Sequence, residues 1–106
     1  MELREMQKAA YQNKVDHHFN ITDVRYEFCL LYGEVAEAFD AWNNSQGSVG
    51  EELADVAIYL LGLSEILGID LQSEIERKMA INRRRRYAAI DGVVQKIEDP
   101  DREARE

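Results

Sequence analysis

The sequence predicts an all-α fold, an antiparallel helical bundle that is completed by oligomerisation. Its 106 residues include six glycines and one proline, so few positions interrupt helical structure. Apolar residues recur with the 3.6-residue period of amphipathic helices. Hydrophobic residues amount to 45% of the chain, which is enough for the core of one small domain. We therefore expect four helices followed by a polar tail.

The first two predicted helices differ in the strength of their apolar patterns. The first covers about Leu3 to His18 and carries few apolar residues. The second covers about Thr22 to Trp42, where Thr22 has the side chain of an N-cap and Asp23 suits the first turn. Its apolar stripe follows the helical period throughout and consists of Val24, Phe28, Leu31, Val35, Ala38, Phe39 and Trp42.

A polar turn that contains glycine, at residues 43–47, separates the second helix from the third. Ser48 and Glu51 then fit a capping box, in which each side chain satisfies the backbone N–H of the other residue. The third helix is predicted from about Val49 to Leu67. Its main apolar stripe consists of Leu53, Val56, Ala57, Leu60, Leu63, Ser64 and Leu67.

Gly68 suits the position that follows a helix end, and a fourth helix is predicted from about Leu71 to Tyr87. A four-residue spacing places three polar or basic residues on one face of this helix, namely Lys78, Asn82 and Arg86. We expect one domain over residues 1–90. The acidic remainder, residues 91–106, is expected to be a frayed helix, an arm that orders on a partner, or disorder.

Two acidic steps border the apolar stripes. Glu34 and Glu37 are three residues apart on the second helix, and Glu52 and Asp55 repeat this spacing on the third. Residues at i and i+3 lie roughly 5–6 Å apart at Cβ, so two antiparallel helices would gather all four carboxylates. Such a cluster is unfavourable without cations because the charges repel and lose hydration. Oxygen ligands of this kind suit Mg²⁺ or Mn²⁺.

The overall charge limits the classes of partner. A formal net charge of −8 argues against nucleic acid, since duplex binding requires basic surface. No apolar run reaches the roughly 18–20 residues that span a bilayer, and the N-terminus lacks a signal-peptide pattern. We therefore expect no membrane association and a cytoplasmic location. Cys29 is the single cysteine, and we expect it to be a small core residue.

The ordered set of motifs resembles the MazG-like family of all-α nucleoside triphosphate pyrophosphohydrolases. The resemblance covers about Thr22 to Tyr87. It rests on two acidic motifs around a short polar turn, a Gly-Ile-Asp turn and a basic helix. In this chain these read Glu34-Val-Ala-Glu37, Glu52-Leu-Ala-Asp55 with Tyr59, Gly68-Ile-Asp70, and Lys78 with Asn82, Arg86 and Tyr87.

The resemblance implies that Mg²⁺, or Mn²⁺ in its place, assists the attack of water on the α-phosphorus of a nucleoside triphosphate. The products would be the monophosphate and pyrophosphate. The metal ligands it implies are the four acids, with Glu37 also able to orient or deprotonate the water. The implied substrate-binding residues are Lys78, Asn82 and Arg86 for phosphate and sugar, and Tyr59 and Trp42 for the base.

One position departs from many members of the family. Gly33 stands where a further Glu often precedes the first motif, as in the branch that resembles deoxycytidine triphosphate pyrophosphatases. Glu51 and Asp40 are then candidates for outer-shell groups. The branch resemblance favours deoxynucleotides and a role in nucleotide-pool control, whereas the spacing of residues reveals neither base nor sugar. We expect His17 and His18 at the surface.

Other functions fit part of the pattern. A di-iron bundle takes Glu-x-x-His steps, but here Glu37 and Asp55 hold the fourth position of each step. A non-catalytic helical interaction module needs the same amphipathic helices. A phosphoribosyl-ATP pyrophosphohydrolase resembles the family in fold. Apolar residues outside the main stripes, such as Tyr26 and Tyr32, indicate a homodimer or a dimer of dimers.

Overall fold

A computed structural model of the chain describes residues 1–99. It contains four helices and a two-stranded antiparallel sheet: α1 (Leu3–Asp16), α2 (Val24–Asn43), α3 (Val49–Ile66), α4 (Leu71–Arg84), β1 (Arg86–Ile90) and β2 (Val93–Glu98). The chain divides into two compact units, Met1–Leu71 and Gln72–Glu106. The protein is therefore mostly helical, and the prediction of an all-α fold is wrong for the hairpin.

The first unit is built on α3, which packs against both α1 and α2. Ala38 and Ala41 of α2 are buried, as are Leu61 and Leu63 of α3. Small side chains on α2 allow two helix axes to approach closely. The buried face of α2 is narrow and follows the helical period. It therefore fixes which side of α2 faces α3.

Helix ends explain where the chain turns. Asp23 is the N-cap of α2 and its Oδ1 accepts a hydrogen bond from the Tyr26 backbone N–H at 3.1 Å. The prediction of Thr22 as the cap is wrong by one residue, because the aspartate carboxylate reaches that N–H instead. Ser48 is the N-cap of α3, and its Oγ accepts from the Glu51 N–H at 3.2 Å, as predicted.

The C-terminus of α3 is closed by a Schellman motif. Gly68 has a φ of +68°, the left-handed conformation that glycine adopts at low cost. Its N–H donates to the Glu65 carbonyl at 3.1 Å, and the Ile69 N–H donates to the Ser64 carbonyl at 2.9 Å. The role predicted for Gly68 is confirmed.

Polar side chains attach α1 to the rest of the unit. The Gln7 side chain is 3% exposed, and its Nε2 donates to Glu65 Oε1 at 3.0 Å and to the Ile69 carbonyl at 2.6 Å. Its Oε1 accepts from the Leu71 N–H at 3.2 Å. A buried amide with these partners fixes the position of α1 more specifically than its few apolar residues can.

The apolar stripe predicted for α2 is mostly exposed in the single chain. Ala38 is buried, but Phe28, Val35, Phe39 and Trp42 have exposed fractions of 42 to 66%. The stripe is therefore wider than α3 can cover. We call the exposed residues Phe28, Tyr32, Val35, Phe39 and Trp42 the apolar face of α2. Cys29 is also exposed, so the prediction that it lies in the core is wrong.

The second unit holds most of α4 and the hairpin. The prediction that α4 continues to Tyr87 is wrong, because the helix ends at Arg84 and Arg86 begins β1. Ile90 pairs with Val93 and Tyr87 pairs with Lys96. Arg86 therefore does not share a helix face with Lys78 and Asn82.

A two-residue turn joins the two strands. Asp91 and Gly92 have φ values of +53° and +79°, as a type I′ turn requires. The two strands lie on opposite sides of the predicted domain boundary at residue 90, so a frayed helix or disorder is wrong for 93–98. An arm that orders on a partner stays a prediction. The division into 1–90 and 91–106 stays a prediction, and residues 100–106 lie outside the described part of the chain.

Within residues 1–99, no helix combines the length and apolar character that crossing a bilayer requires.

Candidate functional site

Three carboxylates from two helices converge in the first unit. Glu34 and Glu37 lie one turn apart on α2, and Glu52 lies in the first turn of α3. One oxygen from each of the three carboxylates can be chosen so that all lie within 4.8 Å of one another. The convergence follows from the sequence, because each acid borders the face on which α2 and α3 pack.

The charges in this cluster oppose one another. Burial raises the pKa of the Glu34 carboxyl above its ordinary value, and repulsion from Glu37, Asp55 and Glu52 raises it further. Oε2 of Glu34 and Oε2 of Glu52 are buried and have no hydrogen-bond partner within residues 1–99. Buried carboxylate oxygens in native proteins normally have a donor or a cation beside them.

Asp55 lies at the edge of the cluster. Its side chain is exposed, and it is absent from the group of three whose oxygens converge. It is nevertheless close enough to raise the pKa of both Glu34 and Tyr59 by repulsion. The two acidic steps therefore share one electrostatic site, in which Glu34, Glu37 and Glu52 are the closest members.

The donor set fits a hard divalent cation. All of its ligand atoms are carboxylate oxygens, which Mg²⁺ and Mn²⁺ prefer. A cation here would satisfy the two buried oxygens of Glu34 and Glu52 and remove the repulsion that raises the pKa of Glu34. Glu37 is exposed, so the site is open to solvent and to a ligand on that side.

The aromatic candidates occupy different environments. Tyr59 follows Asp55 by one turn of α3 and is partly buried, and burial together with Glu34, Glu27 and other acids raises the pKa of its hydroxyl. Trp42 is 66% exposed at the end of α2. Its ring centroid lies 6.1 Å from that of Phe39. Tyr59 thus adjoins the acidic cluster, whereas Trp42 belongs to the apolar face.

The basic candidates lie in the second unit. Lys78 is exposed on α4. The Asn82 side-chain oxygen accepts a hydrogen bond from Arg85 Nη1 at 2.8 Å. Arg86 stands at the start of β1, with its Nη1 3.5 Å from Glu98 Oε1. Lys78 and Asn82 therefore share a helix, while Arg86 is held by the hairpin.

One buried ion pair was not predicted from the sequence. Lys14 of α1 pairs with Glu27 of α2, and their side chains are 8% and 1% exposed. Asn20 Nδ2 donates to Glu27 Oε2 at 3.0 Å. The available signal was that Glu27 precedes Glu34 by seven residues, so both lie on the same face of α2.

Comparison with known proteins identifies the family of this chain. The fold and the acidic cluster define a mostly helical protein with a candidate divalent-cation site. Residues 29–99 match the family model described as MazG-like family. The chain belongs to the MazG-like family, and the resemblance noted in the sequence is confirmed.

One relative carries a functional name. A protein named dATP/dGTP diphosphohydrolase, from Salmonella phage PMBT28, is 44% identical to this chain over 52 residues. The aligned segment is 48% of this chain and 18% of the phage protein, so this chain matches less than a fifth of that relative's length. No solved structure shows significant similarity to the chain.

Proposed function

We propose that this protein is a Mg²⁺-dependent nucleoside triphosphate pyrophosphohydrolase. The observation that carries the proposal is the convergence of Glu34, Glu37 and Glu52 with two buried oxygens that have no hydrogen-bond partner among the described residues. Membership of the MazG-like family and the name of the phage relative support the same activity. Mn²⁺ is a possible substitute for Mg²⁺ because its ligand preferences are similar.

Within this proposal, the residues that would hold divalent ions are Glu34, Glu37, Glu52 and Asp55. Bound ions would neutralise charge on the phosphate oxygens and lower the pKa of water toward neutrality. The water oxygen attacks the α-phosphorus, the bond from that phosphorus to the bridging oxygen breaks, and pyrophosphate leaves. Glu37 takes the water proton on its carboxylate, because it is the exposed member of the convergent group.

Substrate binding is assigned to five residues by the chemistry of their side chains. Lys78 and Arg86 balance the negative charge of the triphosphate, and arginine suits bidentate phosphate contacts. Asn82 binds phosphate or sugar. The acids of the cluster raise the pKa of the Tyr59 hydroxyl, and this proximity supports a contact between Tyr59 and the base. Trp42 has an exposed ring on which a base can stack.

We further propose a preference for deoxynucleotides and a role in control of the nucleotide pool. The name of the phage relative specifies two deoxynucleotides, and the branch resemblance at Gly33 points the same way. Equal turnover of ATP and dATP would contradict the preference. The pool-control role requires that the favoured substrate accumulate in cells that lack the protein.

Oligomerisation is part of the proposal. The apolar face of α2, together with Leu53 and Leu60 of α3 and Leu67 at the α3 C-cap, exposes many large apolar side chains. Contiguous exposed apolar surface of this kind is typical of protein interfaces. A homodimer or a dimer of dimers buries it by pairing identical faces.

Pyrophosphate release from a panel of natural and modified triphosphates, with and without Mg²⁺, tests the activity. We expect release that requires Mg²⁺ and falls at least about a hundredfold in the double variant Glu37→Ala/Asp55→Ala. Circular dichroism should show that this variant retains its helices. Glu5→Ala/Asp16→Ala removes two exposed acids of α1 and should keep full activity.

The main competing function is a non-catalytic helical interaction module. It requires no pyrophosphate release from any triphosphate, and Glu37→Ala/Asp55→Ala should then keep or raise stability with no change in activity. A phosphoribosyl-ATP pyrophosphohydrolase remains an alternative within the same fold. Exclusive turnover of phosphoribosyl-ATP in the same panel would favour it.

A further inference from the structure

The first unit contains a cleft of about 450 Å³. Three aromatic rings line it, from Phe19, Tyr26 and Tyr59. Tyr59 connects the cleft with the cluster, because it follows Asp55 by one turn of α3. Burial raises the pKa of the Tyr59 hydroxyl, and the charges of Glu34, Glu27, Asp55 and Glu37 raise it further. Concave sites lined by aromatic rings suit planar ligands.

Lys14 lines this cleft, and its side chain ends in an ammonium group. It pairs with Glu27, lies 3.4 Å from the Asn20 carbonyl oxygen, and lies 5.5 Å from the centroid of the Tyr59 ring. A Cβ at Gly62 would lie 3.0 Å from Lys14 Cε. Because Gly62 has no side chain, the aliphatic part of the Lys14 side chain can occupy this space.

Stability alone does not account for this pair. Burying an ion pair removes two charges from water, and apolar side chains of similar volume generally stabilise a fold as well or better. Lys14 and Glu27 are nevertheless among the few buried polar residues within residues 1–99, and Glu27 is 1% exposed. An ion pair in the wall of an aromatic cleft has a further use, because it orients the N–H donors of the lysine ammonium group toward a bound ligand.

The chemistry of the donor limits what it can recognise. An ammonium has three N–H donors and no acceptor, and Glu27 and the Asn20 carbonyl account for two of the three. A third can bond an exocyclic carbonyl oxygen on a base, such as that of hypoxanthine or guanine. Adenine has an amino group at the same position, which would leave two donors facing each other without an acceptor.

We infer that Lys14 is a specificity-determining residue of the nucleotide site. Its ammonium donates a hydrogen bond to the exocyclic carbonyl oxygen of a base that lies among Phe19, Tyr26 and Tyr59. Glu27 and Gly62 are positioning residues that act through Lys14. This inference rests on the proposed function and adds that oxo-bearing bases are preferred over adenine.

The test compares dITP with dATP, whose bases differ only at the 6-position and the adjacent ring nitrogen. For the unaltered protein we expect kcat/KM for pyrophosphate release to be at least about tenfold higher with dITP. In Lys14→Met/Glu27→Gln the ratio should fall to near one, mainly through loss of dITP turnover. The double variant avoids leaving one buried charge without its partner.

Two further variants separate recognition from folding. Lys8→Met removes an exposed lysine from the same helix and should keep the ratio of the unaltered protein. Gly62→Ala leaves every charge in place and favours helix, but its methyl displaces the Lys14 stem. It should lower the ratio by several-fold, and it keeps the inference testable should the double variant fail to fold.

Binding measurements distinguish this inference from the proposed activity. Calorimetry of the full chain with dIMP and dAMP in Mg²⁺ requires no hydrolysis, and we expect tighter binding of dIMP that is lost in Lys14→Met/Glu27→Gln. An absence of pyrophosphate release with this binding preference intact would overturn only the proposed function. An unchanged dITP to dATP ratio in folded variants, or no preference in the unaltered protein, would overturn the inference.

Discussion

Glu27 and Glu34 occupy equivalent positions on α2, seven residues apart and on the same face, but their charges are compensated differently. Glu27 faces Lys14 and accepts a hydrogen bond from Asn20. Glu34 faces three other acids, and its Oε2 has no hydrogen-bond partner among the described residues. The protein thus neutralises the buried carboxylate of Glu27 internally, whereas the partly buried carboxylate of Glu34 is left to be neutralised by protons or by a cation.

Replacement of Glu34 by glutamine should therefore stabilise the metal-free protein at neutral pH. The folded-state pKa of Glu34 lies above its ordinary value of 4.5. The stabilising contribution of its protonation is fully present below that ordinary value and is lost as the pH rises through the folded-state pKa. Glu34→Gln keeps the neutral form at every pH. Thermal melts from pH 4 to 8 should show a higher melting temperature for the variant at pH 7 and little difference at pH 4.

Addition of Mg²⁺ at pH 7 should make the unaltered protein melt at a higher temperature than Glu34→Gln. The unaltered protein gains stability from a bound ion, by about 2.7 kcal/mol at a hundredfold excess over Kd. Glu34→Gln should gain clearly less, because it has lost one of the anionic ligands. A metal-free Glu34→Gln that melts below the unaltered protein at pH 7 would contradict the account of repulsion at this site.

Secondary structure elements begin and end where single side chains satisfy backbone groups. Asp23 and Ser48 cap α2 and α3, and these helices carry the convergent acids. The cap positions therefore fix the register in which Glu34, Glu37 and Glu52 approach one another. A frayed first turn of α3 would disturb Glu52 directly, since Glu52 lies in that turn.

The cap of α2 can be assigned by a matched pair of variants. Asp23→Ala should lower the free energy of unfolding by about 1 kcal/mol, because the Tyr26 N–H loses its acceptor. Thr22→Ala removes the neighbouring polar side chain and should change stability by no more than about 0.5 kcal/mol. Chemical denaturation of both variants measures the two values. A larger loss of stability in Thr22→Ala than in Asp23→Ala would show that Thr22 is the N-cap, as the sequence predicts.

The sequence is most informative where structure depends on local pattern. The helical period, the Ser48 cap and the Gly68 turn are local, and each is found as predicted. The dipeptide Asp91-Gly92 between apolar residues is a strong hairpin signal, but the acidic composition around it favoured an unstructured tail. The prediction fails there because the turn-forming dipeptide, and not the acidic composition, determines the local structure.

Pairings between distant residues could not be predicted in the same way. The approach of α2 to α3 follows from two amphipathic helices and a short turn, so the acidic cluster was predictable. The Lys14–Glu27 pair depends on where the weakly patterned α1 docks, which no period in the sequence specifies. Which part of a wide apolar stripe faces α3 likewise depends on tertiary packing.

The chain as a whole exposes more apolar surface than a small monomer usually does. Tyr32 and Trp42 are 72% and 66% exposed, and both belong to the apolar face of α2. The formal net charge of −8 limits nonspecific association through repulsion. A specific interface between copies must therefore gain most of its free energy from this face and exclude charge from its centre.

Replacement of Phe39 by glutamate should dissociate the proposed oligomer. Phe39 is 57% exposed and lies near the middle of the apolar face, where a buried carboxylate without a partner would cost several kcal/mol. Cys29→Glu introduces the same charge at an exposed position of α2 outside that face and should leave assembly unchanged. Sedimentation velocity at micromolar concentration should show an oligomer for the unaltered protein and Cys29→Glu, and a monomer for Phe39→Glu. A compact monomer in all three samples would show that the apolar face does not pair with itself.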